Sequence, residues 1–244
     1  MNTHVLAPPG RLQALRELAT PLDMARSALK APGLMTCPRG KGETVIVLPG
    51  YGTGDRSTTV LRTFLRSLGY RARGWDLGTN RGDVEALMPL VQEYVAAHCK
   101  AAEEPVHLIG WSLGGVLARE AARDLPRQVR SVITLGTPVI GGPRYTAVGR
   151  IYAAQGFDFD HIERAIAERN KTPIRVPVIS IYSKADGIVA WRAAIDHHNP
   201  HVEHVEVSES HLSLGFSSSV FRIIAERLAR GPATGAGSAG YAGR

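Results

Sequence analysis

From Thr44 onward the chain alternates short apolar runs with amphipathic stretches, and this alternation constrains its fold more than any other feature. The runs are Thr44 to Leu48, Arg71 to Leu77, Val106 to Ile109, Ser131 to Leu135, Val178 to Tyr182 and Val202 to Val207. Helical periodicity recurs between them, at Ser57 to Leu68, Gly82 to Lys100, Leu113 to Leu125, Asp158 to Asn170 and Ser217 to Leu228. Strands alternating with helices of this kind lie parallel and buried on both faces. The pattern predicts an α/β domain: a mainly parallel sheet of about six strands, right-handed crossovers, and helices on both faces. A chain of 244 residues suffices for one such core.

Three flanking regions stand apart from the alternation. Residues 1–42 read as a helical lead-in, 43–230 as the main domain, and 231–244, mostly Gly, Ala and Ser, as a disordered tail. In the lead-in, leucines recur at helical spacing from Arg11 to Lys30, interrupted at Thr20-Pro21. Thr20 is read as a cap, Pro21 as the first helical residue and Asp23 as completing a capping box. The apolar faces of these two short helices are expected to pack on the domain, with a membrane-surface role as the alternative. The third region is a long connection after the fourth strand. Its segment from about 138 to 172 is expected to form a lid, with Ile151, Phe157, Phe159 and Ile162 as an apolar underside or a small core of their own.

Composition removes several classes of function. No apolar run approaches the roughly 20 residues of a membrane-spanning helix, so at most peripheral membrane contact is expected. Met1 to Gly10 carries no secretory apolar core, which predicts a cytoplasmic location. The net charge is +7, but the cations are scattered among acids without interleaved aromatics, so no nucleic-acid partner is expected. Cys37 and Cys99 have no metal-ligand spacing, and the histidines at 197, 198, 201 and 204 read as a solvated loop and alternating strand positions. No metal site is predicted. Gly50, Gly52 and Gly54 leave Asp55 where a dinucleotide fingerprint needs its third glycine, and Asp55 is read instead as a helix cap. No cofactor is expected.

The chemistry concentrates at Gly110-Trp111-Ser112-Leu113-Gly114. Val106 to Ile109 precedes it as a strand and Val116 to Leu125 follows as a helix, so Ser112 falls at a strand-to-helix corner. A hydroxyl held clear of the backbone in so tight a turn crowds the positions two before and two after it, where this chain has Gly110 and Gly114. A plain glycine-rich turn with a capping serine is the simpler alternative.

With Leu48-Pro49-Gly50-Tyr51-Gly52, Gly110 to Gly115, Leu135-Gly136-Thr137-Pro138, Ala185-Asp186-Gly187-Ile188-Val189 and Ser210-His211-Leu212, the stretch from Thr44 to about Leu228 resembles the α/β-hydrolase superfamily, particularly its bacterial lipases and esterases. The resemblance implies that 43–230 is a catalytic domain, with Ser112 as nucleophile, Asp186 as the acid after the fifth strand and His211 as the base after the last. A serine hydroxyl is a weak nucleophile near neutrality, so it needs a base within reach and a carboxylate to orient that base. It also implies an oxyanion hole from the N–H groups of Leu113 and Tyr51, although Pro49 stands where many members carry a histidine that could brace the loop. No catalytic role is assigned to the turn at Leu135 to Pro138. Trp111, Val139 and Ile188 are candidate substrate contacts, Trp111 being more readily read as packing beside the elbow. The implied reaction is two-step hydrolysis of a small-molecule or lipid ester through an acyl-enzyme. Acyl transfer, amide or thioester cleavage, and a non-catalytic binding role are the alternatives.

Overall fold

The computed structural model describes residues 6–230. Six strands form one sheet: β1 (Thr44–Leu48), β2 (Arg71–Arg73), β3 (Val106–Trp111), β4 (Val129–Leu135), β5 (Val178–Ser183) and β6 (Val202–Val207), in the order β2-β1-β3-β4-β5-β6. Every neighbouring pair is parallel. The β1–β3 pairing sets Leu48 beside Gly110, so the loop after β1 and the turn after β3 leave the sheet at the same edge.

Alternation along the strands builds a core on each face. Val45, Val47, Ile109 and Ile133 join the core beneath α3 (Thr59–Ser67) and α8 (Ser218–Ala229), whereas Ile46, Leu48, Leu108 and Val132 join the one beneath α4 (Val84–Ala102) and α5 (Leu113–Asp124). β1 and β3 are buried at every position, as central strands of a doubly covered sheet must be.

The second strand is shorter than its apolar run. It ends at Arg73 because the Asp55 carboxylate takes the N–H groups of Trp75 (2.9 Å) and Asp76 (3.1 Å), drawing the chain away from the sheet. Asp55 is therefore a loop tie and not the cap expected of it; the turn there begins from Gly54 without a side-chain cap.

The lead-in differs more. It comprises α1 (Arg11–Arg16) and α2 (Thr20–Lys30), joined by one 3-10 turn. Thr20 lies inside α2, and the capping box with Asp23 does not form. Thr20 Oγ1 donates to Glu17 O (2.7 Å), while Asp23 Oδ2 accepts from Ser213 Oγ (2.9 Å). The expected orientation is reversed as well: Gln13, Glu17, Thr20, Asp23 and Ser27 face the domain, and Leu12, Leu15, Leu18, Leu22 and Leu29 are exposed. Hydrogen bonds decide this. Five polar residues on one helical face find partners in the loops after β5 and β6 and leave no apolar surface there for the leucines to meet.

Between β4 and β5 run α6 (Gly149–Ala154) and α7 (Phe159–Arg169), the latter capped by Asp158, whose side chain accepts from the N–H groups of Asp160 and His161. Among the described residues no helix is long and apolar enough to cross a membrane. The tail expected to be disordered, 231–244, lies outside the described residues.

Candidate active site

Ser112 sits between β3 and α5 with φ 53° and ψ −122°, a conformation that L-residues avoid and that costs on the order of 1–3 kcal/mol. The surroundings hold it there. Its N–H donates to Leu135 O (2.8 Å) and its carbonyl accepts from Gly115 N–H (2.9 Å) and Thr137 Oγ1 (2.9 Å). A methyl group at Gly110 would strike the Gly114 carbonyl, and one at Gly114 would strike the Leu48 carbonyl, so both positions exclude any side chain. Leu113 is the first residue of α5, and the N–H groups of a helix's first turn have no carbonyl one turn back to bond.

Asp186 and His211 arrive from two neighbouring strands. Asp186 follows β5 and His211 follows β6; both are 3% exposed, and His211 Nδ1 lies 2.7 Å from Asp186 Oδ2. The other carboxylate oxygen accepts from Ile188 N–H (2.9 Å) and Val189 N–H (2.7 Å), which fixes its rotation. Burial alone would push the His211 imidazole down, but the Asp186 carboxylate, its hydrogen bond and a further contribution from Glu17 hold it above the ordinary histidine value.

Two features of this region carry no sequence signal strong enough to have been assigned. The first is the turn at Leu135 to Pro138. Gly136, at φ 55°, forms a floor: a methyl there would meet His211 Nδ1 at 2.8 Å and Asp186 Oδ2 at 2.9 Å. Its neighbour Thr137 holds the Ser112 carbonyl. The turn, to which no catalytic role is assigned, thus lies against His211 and Asp186 and bonds Ser112. The second is Asn80, fully buried, whose Nδ2 donates to Pro49 O (3.0 Å) while its carbonyl accepts from Gly52 N–H (2.8 Å) and its own N–H donates to Thr53 O (2.9 Å). Asn80 supplies the brace for the Tyr51 loop that the missing histidine could have given. That loop approaches Ser112 so closely that a methyl on Gly50 would lie 3.3 Å from Ser112 Cβ.

Ser112, Leu113 and Tyr51 share the wall of a cavity of about 700 Å³. Met88 from α4, Val116 from α5, and Tyr152, Phe157, Ile162 and Ile166 from the connection after β4 give it an apolar lining. The ring of Tyr51 packs, tilted by 39°, against Tyr152 with centroids 4.6 Å apart, and its hydroxyl donates to Gln155 Oε1 (3.0 Å), linking the loop to α6. The three expected substrate contacts fall elsewhere. Trp111 is buried behind the elbow, where its Nε1 donates to His211 O (3.3 Å) and its ring meets Phe216 edge-on. Val139 is 8% exposed and its N–H donates to Ala193 O (2.8 Å); the Ile188 carbonyl accepts from Ala147 N–H (2.7 Å). None of the three lines the cavity. Each is drawn away by backbone or indole hydrogen bonds that fasten adjoining loops together. Ile151, expected on a lid underside, is 49% exposed, whereas Phe157 and Ile162 do face the cavity.

Residues 20–235 match the model of the alpha/beta hydrolase family. Two curated relatives are pimeloyl-[acyl-carrier protein] methyl ester esterases. That of Aeromonas hydrophila subsp. hydrophila is 31% identical over 105 residues, covering 40% of this chain and 39% of the relative. That of Methylococcus capsulatus is 33% identical over 135 residues, covering 53% of this chain and 52% of the relative. This chain therefore matches about half or less of the length of those relatives. Among solved structures, a mature Bacillus licheniformis lipase superposes with a TM-score of 0.61 at 14% identity, covering 79% of this chain and 94% of the lipase. At that identity the likeness speaks for the fold.

Proposed function

The chain belongs to the alpha/beta hydrolase family, and from that premise we propose that it is a serine ester hydrolase working through Ser112, His211 and Asp186. The observation that carries the reading is the union of a strained serine at φ 53° with a buried His211–Asp186 pair at 2.7 Å, all at the C-terminal edge of one parallel sheet. A structural serine has no need of that backbone strain.

His211 takes the proton of Ser112 as the hydroxyl oxygen attacks the ester carbonyl, and Asp186 stabilises the imidazolium that results. The negative charge that develops on the carbonyl oxygen is held by the N–H groups of Leu113 and Tyr51, with the α5 N-terminus favouring the same charge. His211 returns the proton to the departing alkoxide, leaving an acyl-enzyme. Water repeats the sequence and frees the acid and Ser112. Because His211 must be neutral to accept a proton, and its imidazole is held above the ordinary value, kcat/KM should fall as pH drops through a point above that of a free histidine.

The apolar cavity beside Ser112 fits the acyl side of a carboxylic ester, and α6 and α7 act as its lid. The names of the curated relatives carry a methyl ester of an acyl chain, which accords with an acyl pocket and a small leaving alcohol. The test is labelling by a fluorophosphonate probe, followed by hydrolysis of nitrophenyl esters of increasing acyl length. Wild-type protein should be labelled and Ser112→Ala should not. Equal labelling of both, or none of the folded wild type, overturns the reading. Added methanol diverting most acyl groups to methyl ester would make the chain a transferase on the same machinery.

A further inference from the structure

We propose that Glu17, on the helical lead-in, is a positioning residue for the acid and base of this site. Its Oε1 accepts from both Gly187 N–H (2.8 Å) and His211 N–H (2.8 Å), and its Oε2 accepts from Leu212 N–H (2.9 Å). One carboxylate thus joins the loop after β5, next to Asp186, to the loop after β6 at His211 itself. No other side chain among the described residues accepts from backbone N–H groups of both loops. The lead-in is built around this contact. A side chain at Gly187 would collide with Gln13 O, so that glycine lets α1 settle close enough for Glu17 to reach. Thr20, Asp23 and Ser27, following Glu17 on the same helical face, bond Ser210, Ser213 and Phe216 in turn.

The role rests on the triad reading, and it carries an electrostatic consequence. The charged groups acting on His211 are Asp186 and Glu17, both of which favour the imidazolium. Removing the Glu17 charge therefore lowers the pH at which activity is lost. Glu17→Ala is expected to reduce kcat on a nitrophenyl ester about 10- to 100-fold with KM nearly unchanged, and to move the acidic limb of kcat/KM to lower pH. Glu17→Asp should not recover the loss, because the shorter side chain cannot span both loops, and Glu17→Gln should keep more activity than Ala while still shifting the limb. A purely structural role would instead lower the fraction of protein that the fluorophosphonate labels, leaving the pH profile of the labelled fraction in place. That result, or an unchanged kcat, overturns the proposal. A wild-type protein that neither labels nor hydrolyses esters defeats the triad reading first, and the two failures are distinct.

The outward face of the same lead-in carries a second inference. Leu12, Leu15, Leu18, Leu22 and Leu29 are between 53% and 83% exposed. The segment's two acids, Glu17 and Asp23, bond the domain, and Asp23 also pairs with Arg26 (3.7 Å), which leaves Arg11, Arg16 and Lys30 as the outward cations. Beside them an apolar groove of about 390 Å³ opens between α2, α3 and α8, lined by Met24, Leu34, Val60 and Phe64 among others. Exposed leucines, three outward cations and an adjoining apolar groove fit an anionic phospholipid surface, and we infer that this face docks on one. Wild-type protein should sediment with phosphatidylglycerol vesicles at low salt and about tenfold less with phosphatidylcholine vesicles. Leu12→Ser/Leu15→Ser/Leu22→Ser should remove the difference while labelling by fluorophosphonate persists. Failure to sediment with phosphatidylglycerol overturns the inference, as does a self-association that the triple variant abolishes in protein indifferent to vesicles.

Discussion

The turn at Ser112 and the helical strap, α1 and α2, that carries Glu17 both lie at the sheet edge where His211 pairs with Asp186, yet opposite kinds of force hold them in place. The turn is moulded by sterics: Gly110 and Gly114 admit no side chain, and backbone carbonyls press in from β1. The strap is held by polar side chains that reach across 170 to 195 positions of sequence to Gly187, His211 and Leu212, with no apolar contact of its own leucines beneath it. Close packing makes the first region rigid, since relaxing it would require moving strands. Hydrogen bonds to loops make the second replaceable, since each bond exchanged for water costs about 1 kcal/mol net. The strained serine sits on the rigid part. The adjustable part fastens the two loops that carry Asp186 and His211.

The comparison can be broken at Asn80, a buried side chain that ties the Tyr51 loop, at the Pro49 carbonyl, to the loop after β2. Asn80→Ala leaves the backbone clasp at Gly52 and Thr53 but frees the Pro49 carbonyl and the Gly82 N–H. If Tyr51 N–H belongs to the oxyanion hole, kcat should fall about 100-fold with little change in KM, the size of effect expected on losing one such donor. Steady-state kinetics with an intact fluorophosphonate stoichiometry checks it. An unchanged kcat would remove Tyr51 from the hole and leave the loop a wall of the pocket.

That prediction also shows where the sequence was legible and where it was not. Local sterics leave a local record, so Gly110 to Gly114 marks a corner in the sequence itself, and the strand ends bearing Asp186 and His211 follow from the alternation around them. Asn80 left none, because its partners lie on another loop and an asparagine among turn residues has no periodicity to mark it. The lead-in was misread for a related reason. Leucines at helical spacing establish that a helix has two faces, but their spacing carries no sign, and five polar residues with distant partners turned the helix over. Trp111, Val139 and Ile188 lie off the cavity wall, because adjacency in sequence to Ser112 or Asp186 does not fix which side of the loop faces the cavity.

The nucleophile's own strand offers a sharper measurement. His107, on β3 five residues before Ser112, is buried with its Nδ1 2.7 Å from Ser131 Oγ, and burial, assisted by Arg130, pushes its imidazole down to about 4. The unfolded chain takes up that proton near pH 6.5 whereas the folded chain resists until about pH 4, so acidification favours unfolding. By pH 5 the loss should be about 2 kcal/mol, absent at pH 8, and His107→Gln should flatten it. Urea midpoints at the two pH values give the result directly. A profile unchanged by the substitution would assign the acid sensitivity to another group. His211, raised where His107 is lowered, contributes in the opposite sense: its stabilising effect is fully present below the unfolded value and is lost as pH rises through the higher folded one.

The smallest effect discriminates best between the two regions. Leu117 is fully buried beneath the sheet, and its truncation to alanine should cost about 2–5 kcal/mol, as a cavity in a packed core does. Leu29, at 83% exposed, should tolerate serine within about 0.5 kcal/mol, although it is the same residue type on a helix of the same chain. Denaturant unfolding of Leu29→Ser in dilute buffer is the check. A loss above about 1 kcal/mol would mean that the strap buries its leucines in solution and that its polar face is the one turned out, which would also detach Glu17 from His211. A neutral result leaves the leucines free for a surface outside the protein, and makes the inward polar row, with Glu17 at its centre, the reason this segment stays folded onto the site.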